Sequence, residues 1–317
     1  MKHDDSTVEQ ILKMSKQGMS SRQISHALWG SPSKKSTIND ILARMREETG
    51  LVETYEGAKV LLLDIETAPI RAAVWRIWKE NVGLNQIQTD WFILSFSAKW
   101  LGSDEIIYQD LRGYVNDECD ALLLDYLWTL LDECDIVVGH NMKGFDIKKI
   151  NARFIQEGYE RPSTYKIVDT LDIAKKNFGF TSNKLAYLTD KLCTKYKKSE
   201  HGKFHGFHLW EECLKDNPDA WEEMESYNKL DVLSLEELYL KLRAWDDKHP
   251  NVALHHNDDR VRCNSCGSDD MDKMVGKHAY TNLSKFETYR CGNCGSIKRS
   301  RKNVRTKDQM QSTLMNV

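Results

Sequence analysis

The sequence predicts an α/β protein in three parts: a small helical domain over residues 1–50, a mixed sheet flanked by helices over 51–250, and a small cysteine-bearing module with a basic tail over 251–317. Three observations carry this expectation. Apolar residues recur at helical spacing before residue 50. From Lys59 onward, short apolar runs come first in a group and then alternate with helical stretches. Four of the eight cysteines fall in two close pairs near the C-terminus. A chain of 317 residues with 40% hydrophobic content can bury one full-sized core and still supply a small module at each end.

In the first part, residues 7–17 carry Val8, Ile11, Leu12 and Met14 on one helical face, and Gly18-Met19-Ser20 breaks it. Ser20 or Ser21 can cap a second helix bearing Ile24, Ala27 and Leu28, which Gly30-Ser31-Pro32-Ser33 ends. A third helix begins near Lys35 and buries Ile38, Ile41 and Leu42. The arrangement resembles the helix-turn-helix of resolvase and transposase DNA-binding domains. That resemblance implies that the last helix presents Lys34, Lys35, Ser36, Thr37, Asn39 and Arg44 to DNA. The competing reading is an ordinary three-helix cap.

Glu47-Glu48-Thr49-Gly50 and Glu56-Gly57 read as a linker, after which the pattern changes. Residues 59–65 form an apolar run fit for a buried strand, 91–100 alternate as its partner, and 106–110 supply a third strand. A helix over 122–131, a buried strand over 136–139, a helix over 145–156, a strand over 166–168 and a mostly helical stretch over 170–245 follow. Strands grouped first and then alternating with helices make a mixed sheet with helices on its faces.

The formal charge of −3 hides an uneven distribution, because residues 1–50 are net +2, 51–260 net −11 and 261–317 net +6. An acidic centre suits cations and basic ends suit phosphates, although a solvated surface accounts for the same counts. No apolar run approaches the roughly 18 residues of a membrane helix. The N-terminal Met-Lys-His-Asp-Asp carries no apolar export segment. The expectation is a soluble protein with no membrane partner in a reducing cytoplasm, that of the host if the chain is viral. Cys119, Cys134, Cys193 and Cys213, scattered singly, then read as reduced core residues.

Asp64 and Glu66 in Leu63-Asp64-Ile65-Glu66-Thr67 are two apart on a strand, so both carboxylates project from one face. Two such charges on a buried strand repel unless one is protonated or solvated, and divalent cations relieve the conflict; the competing reading is a pair of acidic residues that simply ends a strand. Gly139-His140-Asn141-Met142-Lys143-Gly144-Phe145-Asp146 reads as strand, turn and helix start, where Asp146 serves either as a helix cap or as a ligand. In Tyr227-Asn228-Lys229-Leu230-Asp231, Tyr227 and Asp231 lie one helical turn apart, where a phenol can hold a water beside a metal-bound carboxylate or the two can be a plain helix surface pair. Asp169 and Asp172, near a strand end, read as structural or supporting carboxylates.

Together, these three segments resemble the Exo I, Exo II and Exo III motifs of the DnaQ-like exonuclease superfamily, with its ribonuclease H-like fold, over roughly residues 59–245. The Tyr-x-x-x-Asp form resembles the DEDDy branch. Residues 64–100 and 203–210 are similar to the ribonuclease H-like exonucleases of many bacteriophages. The resemblance implies a catalytic set of Asp64, Glu66, Asp146, Tyr227 and Asp231 and two Mg²⁺ or Mn²⁺ ions. Asp64 would be shared by both ions, Glu66 and Asp231 would complete the first site, Asp146 would hold the second, and Tyr227 would orient the attacking water. The implied activity is 3′-to-5′ hydrolysis of nucleic acid, DNA before RNA. Its competitors are a structure-specific endonuclease or resolvase on the same fold and a non-catalytic nucleic-acid adaptor.

Cys263-Asn264-Ser265-Cys266-Gly267 and Cys291-Gly292-Asn293-Cys294-Gly295 are two knuckles whose thiolates can close a tetrahedral site, and the pattern looks like a zinc ribbon. Four cysteines leave no open position, so one structural Zn²⁺ is expected, with disulfides as the alternative. The ribbon would display Lys298, Arg299, Arg301, Lys302 and Arg305 with Tyr280, Phe286 and Tyr289 to nucleic acid, or else bind protein.

Overall fold

Residues 5–16, 21–31, 34, 35, 37, 38, 41, 42, 57–196 and 202–315 are described in the computed structural model. The chain divides into two units, Met1–Glu56 and Gly57–Val317. In the first, α1 (Asp5–Lys16) and α2 (Ser21–Trp29) are followed by helical residues at Lys35, Thr37, Ile38, Ile41 and Leu42. Ile11, Ile24, Ile38, Ile41 and Leu42 form the core, with Val8, Met14, Leu28 and Trp29 against it. Ala27 is exposed, contrary to the helical reading, because the buried side of α2 runs through Ile24, Ser25 and Leu28. The Ser25 hydroxyl closes the following turn, donating to Ser31 O at 2.7 Å and accepting from Lys34 N at 3.2 Å. The expectations for Gly18-Met19-Ser20, Pro32-Ser33, Ser36, Asn39, Arg44 and the linker up to Glu56 lie outside the described residues.

The second unit is built on a five-stranded mixed sheet, as the sequence predicts. Its strands are β1 (Val60–Thr67), β4 (Ile93–Trp100), β5 (Ile107–Asp110), β6 (Ile136–Gly139) and β7 (Lys166–Asp169), in the order β5-β4-β1-β6-β7. A short hairpin, β2 (Arg71–Ala72) with β3 (Ile87–Thr89), intervenes after β1 and is not foreseen from the sequence. β1 runs antiparallel to β4 and parallel to β6, and β6 runs parallel to β7. Helices α3 (Ala121–Glu133), α4 (Asp146–Gln156), α5 (Thr170–Asn177), α6 (Leu185–Leu192), α7 (His208–Leu214) and α8 (Pro218–Leu242) flank the sheet.

Alternation along β1 sorts the two cores. Leu61, Leu63 and Ile65 pack with Leu127 and Ile150, whereas Val60 and Leu62 pack with Val232, Leu235 and Leu238 of α8. Helix α8 starts cleanly because Asn217 accepts from Asp219 N at 3.1 Å and Pro218 takes the first helical position. The polar positions of β4 are buried as well, so its alternation marks a second packed face rather than a wet one. Ser95, Ser97 and Lys99 are all within the fold, and Lys99 pairs with Glu236 of α8 at 2.7 Å. Beyond α8, β8 (Met271–Tyr280), β9 (Lys285–Cys291) and β10 (Ile297–Asn303) form a three-stranded sheet, followed by α9 (Lys307–Gln311). Among the described residues no helix is long and apolar enough to cross a membrane.

Candidate active site

Asp64 and Glu66 lie at the carboxyl end of β1, past the parallel pairing with β6, which ends at Leu62 and Val138. They continue the face of Val60 and Leu62 that packs on α8. Their cross-strand partners on β4 are Ser97 and Ser95, whose small side chains leave space beside the carboxylates. The apolar stripe of α8 seats that helix here and brings in Asp231, which is buried. One carboxylate oxygen from each of Asp64, Glu66 and Asp231 lies within 4.8 Å of the other two. Clustered carboxylate oxygens are the ligand type that a hard divalent cation takes, with water or substrate filling the remaining positions.

Asp146 arrives from the other side of the strand. After β6 the chain turns through Asn141, left-handed at φ 64, and the amides of Asn141 and Lys143 donate to the Asp169 carboxylate at 2.9 and 3.0 Å. Helix α4 then begins, with Phe145 and not Asp146 in the cap position. The Asp146 Oδ1 accepts instead from Ile65 N at 3.2 Å, the amide between Asp64 and Glu66. Burial pushes the Asp146 carboxyl up to about 6, the Ile65 amide opposes that shift, and Asp169 adds to it. Asp146 lies outside the three-carboxylate cluster, but it lines the same cavity of about 230 Å³ with Asp64, Glu66, Tyr227 and Asp231. A larger cavity of about 420 Å³, bordered by Lys143, Asp172, Lys175 and Lys248, has no such cluster, so charge and not volume singles out the site.

Tyr227 packs edge-on against Trp210, with ring centroids 6.0 Å apart. Burial raises its phenol far above the ordinary range, and the Asp231, Glu66 and Asp64 carboxylates push it the same way, so it keeps its proton. Sequence reasoning missed Asn228, which is fully buried and donates from Nδ2 to Asp64 Oδ2 at 2.7 Å. Its signal was an amide at a core position of the repeat Met224, Asn228, Asp231, Val232, Leu235. Asp169 and Asp172 do not join the cluster. Asp169 ties the turn and caps α5 through Leu171 N at 3.0 Å, and Asp172 pairs with Lys143 at the surface.

The four cysteines near the C-terminus also converge. Their sulfurs all lie within 4.8 Å of one another, with Cys263 and Cys294 at 3.6 Å, Cys266 and Cys291 at 3.6 Å, and none in a disulfide. Tetrahedral zinc with bonds of about 2.3 Å separates sulfurs by roughly 3.8 Å, which this donor set fits. The two knuckles repeat one backbone pattern. Cys263 N and Cys291 N donate to Ser268 O and Ser296 O, and Gly267 N and Gly295 N donate back to Cys263 O and Cys291 O. Both glycines sit at φ 75, where a side chain would be strained.

Of the basic residues on β10, Arg299, Arg301 and Lys302 are exposed and Lys298 is half-buried. Phe286 is not displayed as expected, because it is buried beneath the Arg299 guanidinium at 4.1 Å. Tyr280 is exposed and Tyr289 half-buried. In the first unit Lys34 is exposed, with its ammonium 5.0 Å over the Trp29 ring, and Lys35 is half-buried.

The sequence matches the RNase_H_2 family, described as the RNase_H superfamily, over residues 61–243, more than half of the chain. No curated protein matches it. Among solved structures it is similar to the family B DNA polymerase from the hyperthermophilic archaeon Pyrobaculum calidifontis, with a TM-score of 0.42 and 15% identity over 59% of this chain. The match spans 25% of the length of that polymerase chain.

Proposed function

The chain belongs to the RNase_H_2 family of the RNase_H superfamily, and from that premise we propose that it is a metal-dependent 3′-to-5′ exonuclease of DEDDy type acting on nucleic acid, DNA before RNA. The observation that carries the reading is the convergence of Asp64, Glu66 and Asp231 from β1 and α8, with Asp146 on the same cavity. Asp64, Glu66 and Asp231 would hold one Mg²⁺ or Mn²⁺, and Asp64 with Asp146 a second. Such a pair, when bound, activates the attacking water and stabilises the departing 3′ oxygen.

The chain's own groups set the geometry. Asn228 fixes one oxygen of Asp64, leaving the rest of that carboxylate to face the cavity. Tyr227, held neutral, orients water by hydrogen bonding and does not remove its proton. Cys263, Cys266, Cys291 and Cys294 would hold one structural Zn²⁺ in a ribbon over residues 251–317, and residues 1–50 would act as a helix-turn-helix. Lys34, Lys35, Arg44, Lys298, Arg299, Arg301 and Lys302 would meet the phosphates from these two ends.

The test is a 5′-labelled single-stranded oligonucleotide incubated with and without Mg²⁺ or Mn²⁺. Wild type should give a metal-dependent ladder shortened from the 3′ end, and Asp64→Asn should reduce the rate by about 10³-fold or more. No cleavage by wild type, or equal cleavage by Asp64→Asn, contradicts the assignment.

A further inference from the structure

The segment between Ala68 and Phe92 carries large apolar side chains in water. Trp75 is 94% exposed and Trp78 81%, with Ile77 and Leu84 comparably bare. This exposure does not come from a lack of structure. Ala68 N donates to Phe92 O at 2.8 Å, β2 pairs with β3, Ala73 N donates to Gln86 O at 2.9 Å, and Gln86 Nε2 donates to Ala73 O at 2.9 Å. These bonds brace the base of an arm, and both indoles stand exposed on the loop beyond it. Four large apolar side chains this bare within ten residues are the kind of surface that a binding partner covers.

Position and charge indicate what it binds. The arm leaves β1 two residues after Glu66, and Trp75 follows Glu66 by nine residues, a chain reach of at most about 30 Å. Arg76 lies between the two tryptophans, with its Nε 3.4 Å from Glu80 and its side chain still 71% exposed, and Lys79 directly follows Trp78, so cations are interleaved with the rings. At its other end, Trp91 takes the Lys149 ammonium over its ring at 3.5 Å. The same ammonium lies 5.8 Å from the ring of Phe145, which lines the carboxylate cavity. Aromatic and cationic groups therefore run from the cavity wall to the root of the arm, and recur on it.

We infer that Trp75 and Trp78 are a stacking platform for unpaired bases of a single strand whose terminal phosphodiester enters the carboxylate site. Every base offers a π-face to an indole, and the interleaved cations meet the phosphates between bases. The inference rests on the proposed nuclease reading for where the strand ends, but the stacking itself can be measured without hydrolysis.

The full chain, purified without chelator and with no Mg²⁺ or Mn²⁺ added, is titrated against a fluorescein-labelled oligodeoxythymidylate of about 15 nucleotides and against a blunt duplex of the same length, followed by anisotropy. Trp75→Ala/Trp78→Ala should weaken single-strand binding at least about tenfold. Trp75→Phe/Trp78→Phe should restore most of it, and duplex binding should stay unchanged. Because both indoles are exposed, the melting temperature should hold. Equal single-strand affinity in the alanine variant overturns the inference and leaves the arm to a protein partner, and equal losses on strand and duplex overturn it too. If wild type hydrolyses strands while the alanine variant binds normally, the arm fails and the nuclease reading stands. If wild type hydrolyses nothing while the tryptophan effect holds, the nuclease reading fails and the platform stands.

Discussion

Asn228, fully buried on α8, donates from Nδ2 to Oδ2 of Asp64 on β1 at 2.7 Å. This bond joins the helix carrying Asp231 to the strand carrying the other two clustered carboxylates. Removing a partner that orients a metal-binding carboxylate typically costs 10–100-fold in metal affinity or activity. Asn228→Ala should therefore slow hydrolysis by at least about tenfold with little change in KM for the strand. Asn228→Asp should be worse, since it sets another carboxylate against Asp64. Steady-state kinetics at saturating Mg²⁺ check both, and activity equal to wild type in Asn228→Ala removes the orienting role.

The buried Asp146 gives a pH dependence with a definite sign. Its folded value of about 6 is above the unfolded carboxylate value near 3.9. The ion-free protein thus holds this contribution to stability below about pH 4 and loses it as pH rises through about 6. A divalent cation held at Asp146, as proposed, would reverse the loss by favouring the ionised form. The Mg²⁺-induced rise in melting temperature should be larger at about pH 7.5 than at about pH 5, and Asp146→Asn should flatten the difference. Calorimetry showing equal shifts at the two pH values contradicts this.

Lys99 and Glu236 form an ion pair with side chains 6% and 16% exposed. Glu236→Ala strands a buried ammonium and should cost about 3 kcal/mol in urea unfolding. Lys99→Met combined with Glu236→Leu should recover most of that loss, because no charge is left uncompensated. A single-variant cost as small as that of a surface pair, under about 1 kcal/mol, shows that water reaches Lys99.

For the ribbon, freshly reduced protein should contain about one tightly held zinc, distinct from exchangeable Mg²⁺. Cys291→Ser should release it and unfold β8–β10, seen as loss of amide protection there, while the five-stranded sheet persists. Metal analysis that finds no zinc refutes the ribbon's metal role.

The parts of this fold that local periodicity encodes were legible in the sequence. Asp64 and Glu66 follow from period-two alternation on β1, and the mixed sheet follows from the order of apolar runs. Asp146 was ambiguous because a cap and a ligand look alike in sequence. What excludes the cap is Phe145 in the cap position and an Asp146 oxygen aimed at Ile65 N, a contact between distant segments. Ala27 and Phe286 were misplaced, and so was Cys119, which is exposed while Cys134, Cys193 and Cys213 are buried, since which face is buried depends on partners that a single element does not name. The β2–β3 hairpin is too short to show a period, and β8 pairs with β9 in two stretches broken between Lys273 and His278, around Gly276 at φ 73.

The measurement that tests the central claim most directly compares a covalently closed single-stranded DNA circle with the same strand in linear form. Cavity and carboxylates are read as a site for a terminal phosphodiester, with neutral Tyr227 ordering the water beside Asp231. The linear strand should lose nucleotides one at a time in Mg²⁺, the circle should persist, and Tyr227→Phe should slow the linear reaction by roughly 10²-fold with substrate affinity retained. If the circle is cut as fast as the linear strand and Tyr227→Phe has no effect, the chain is an endonuclease and the exonuclease account is wrong.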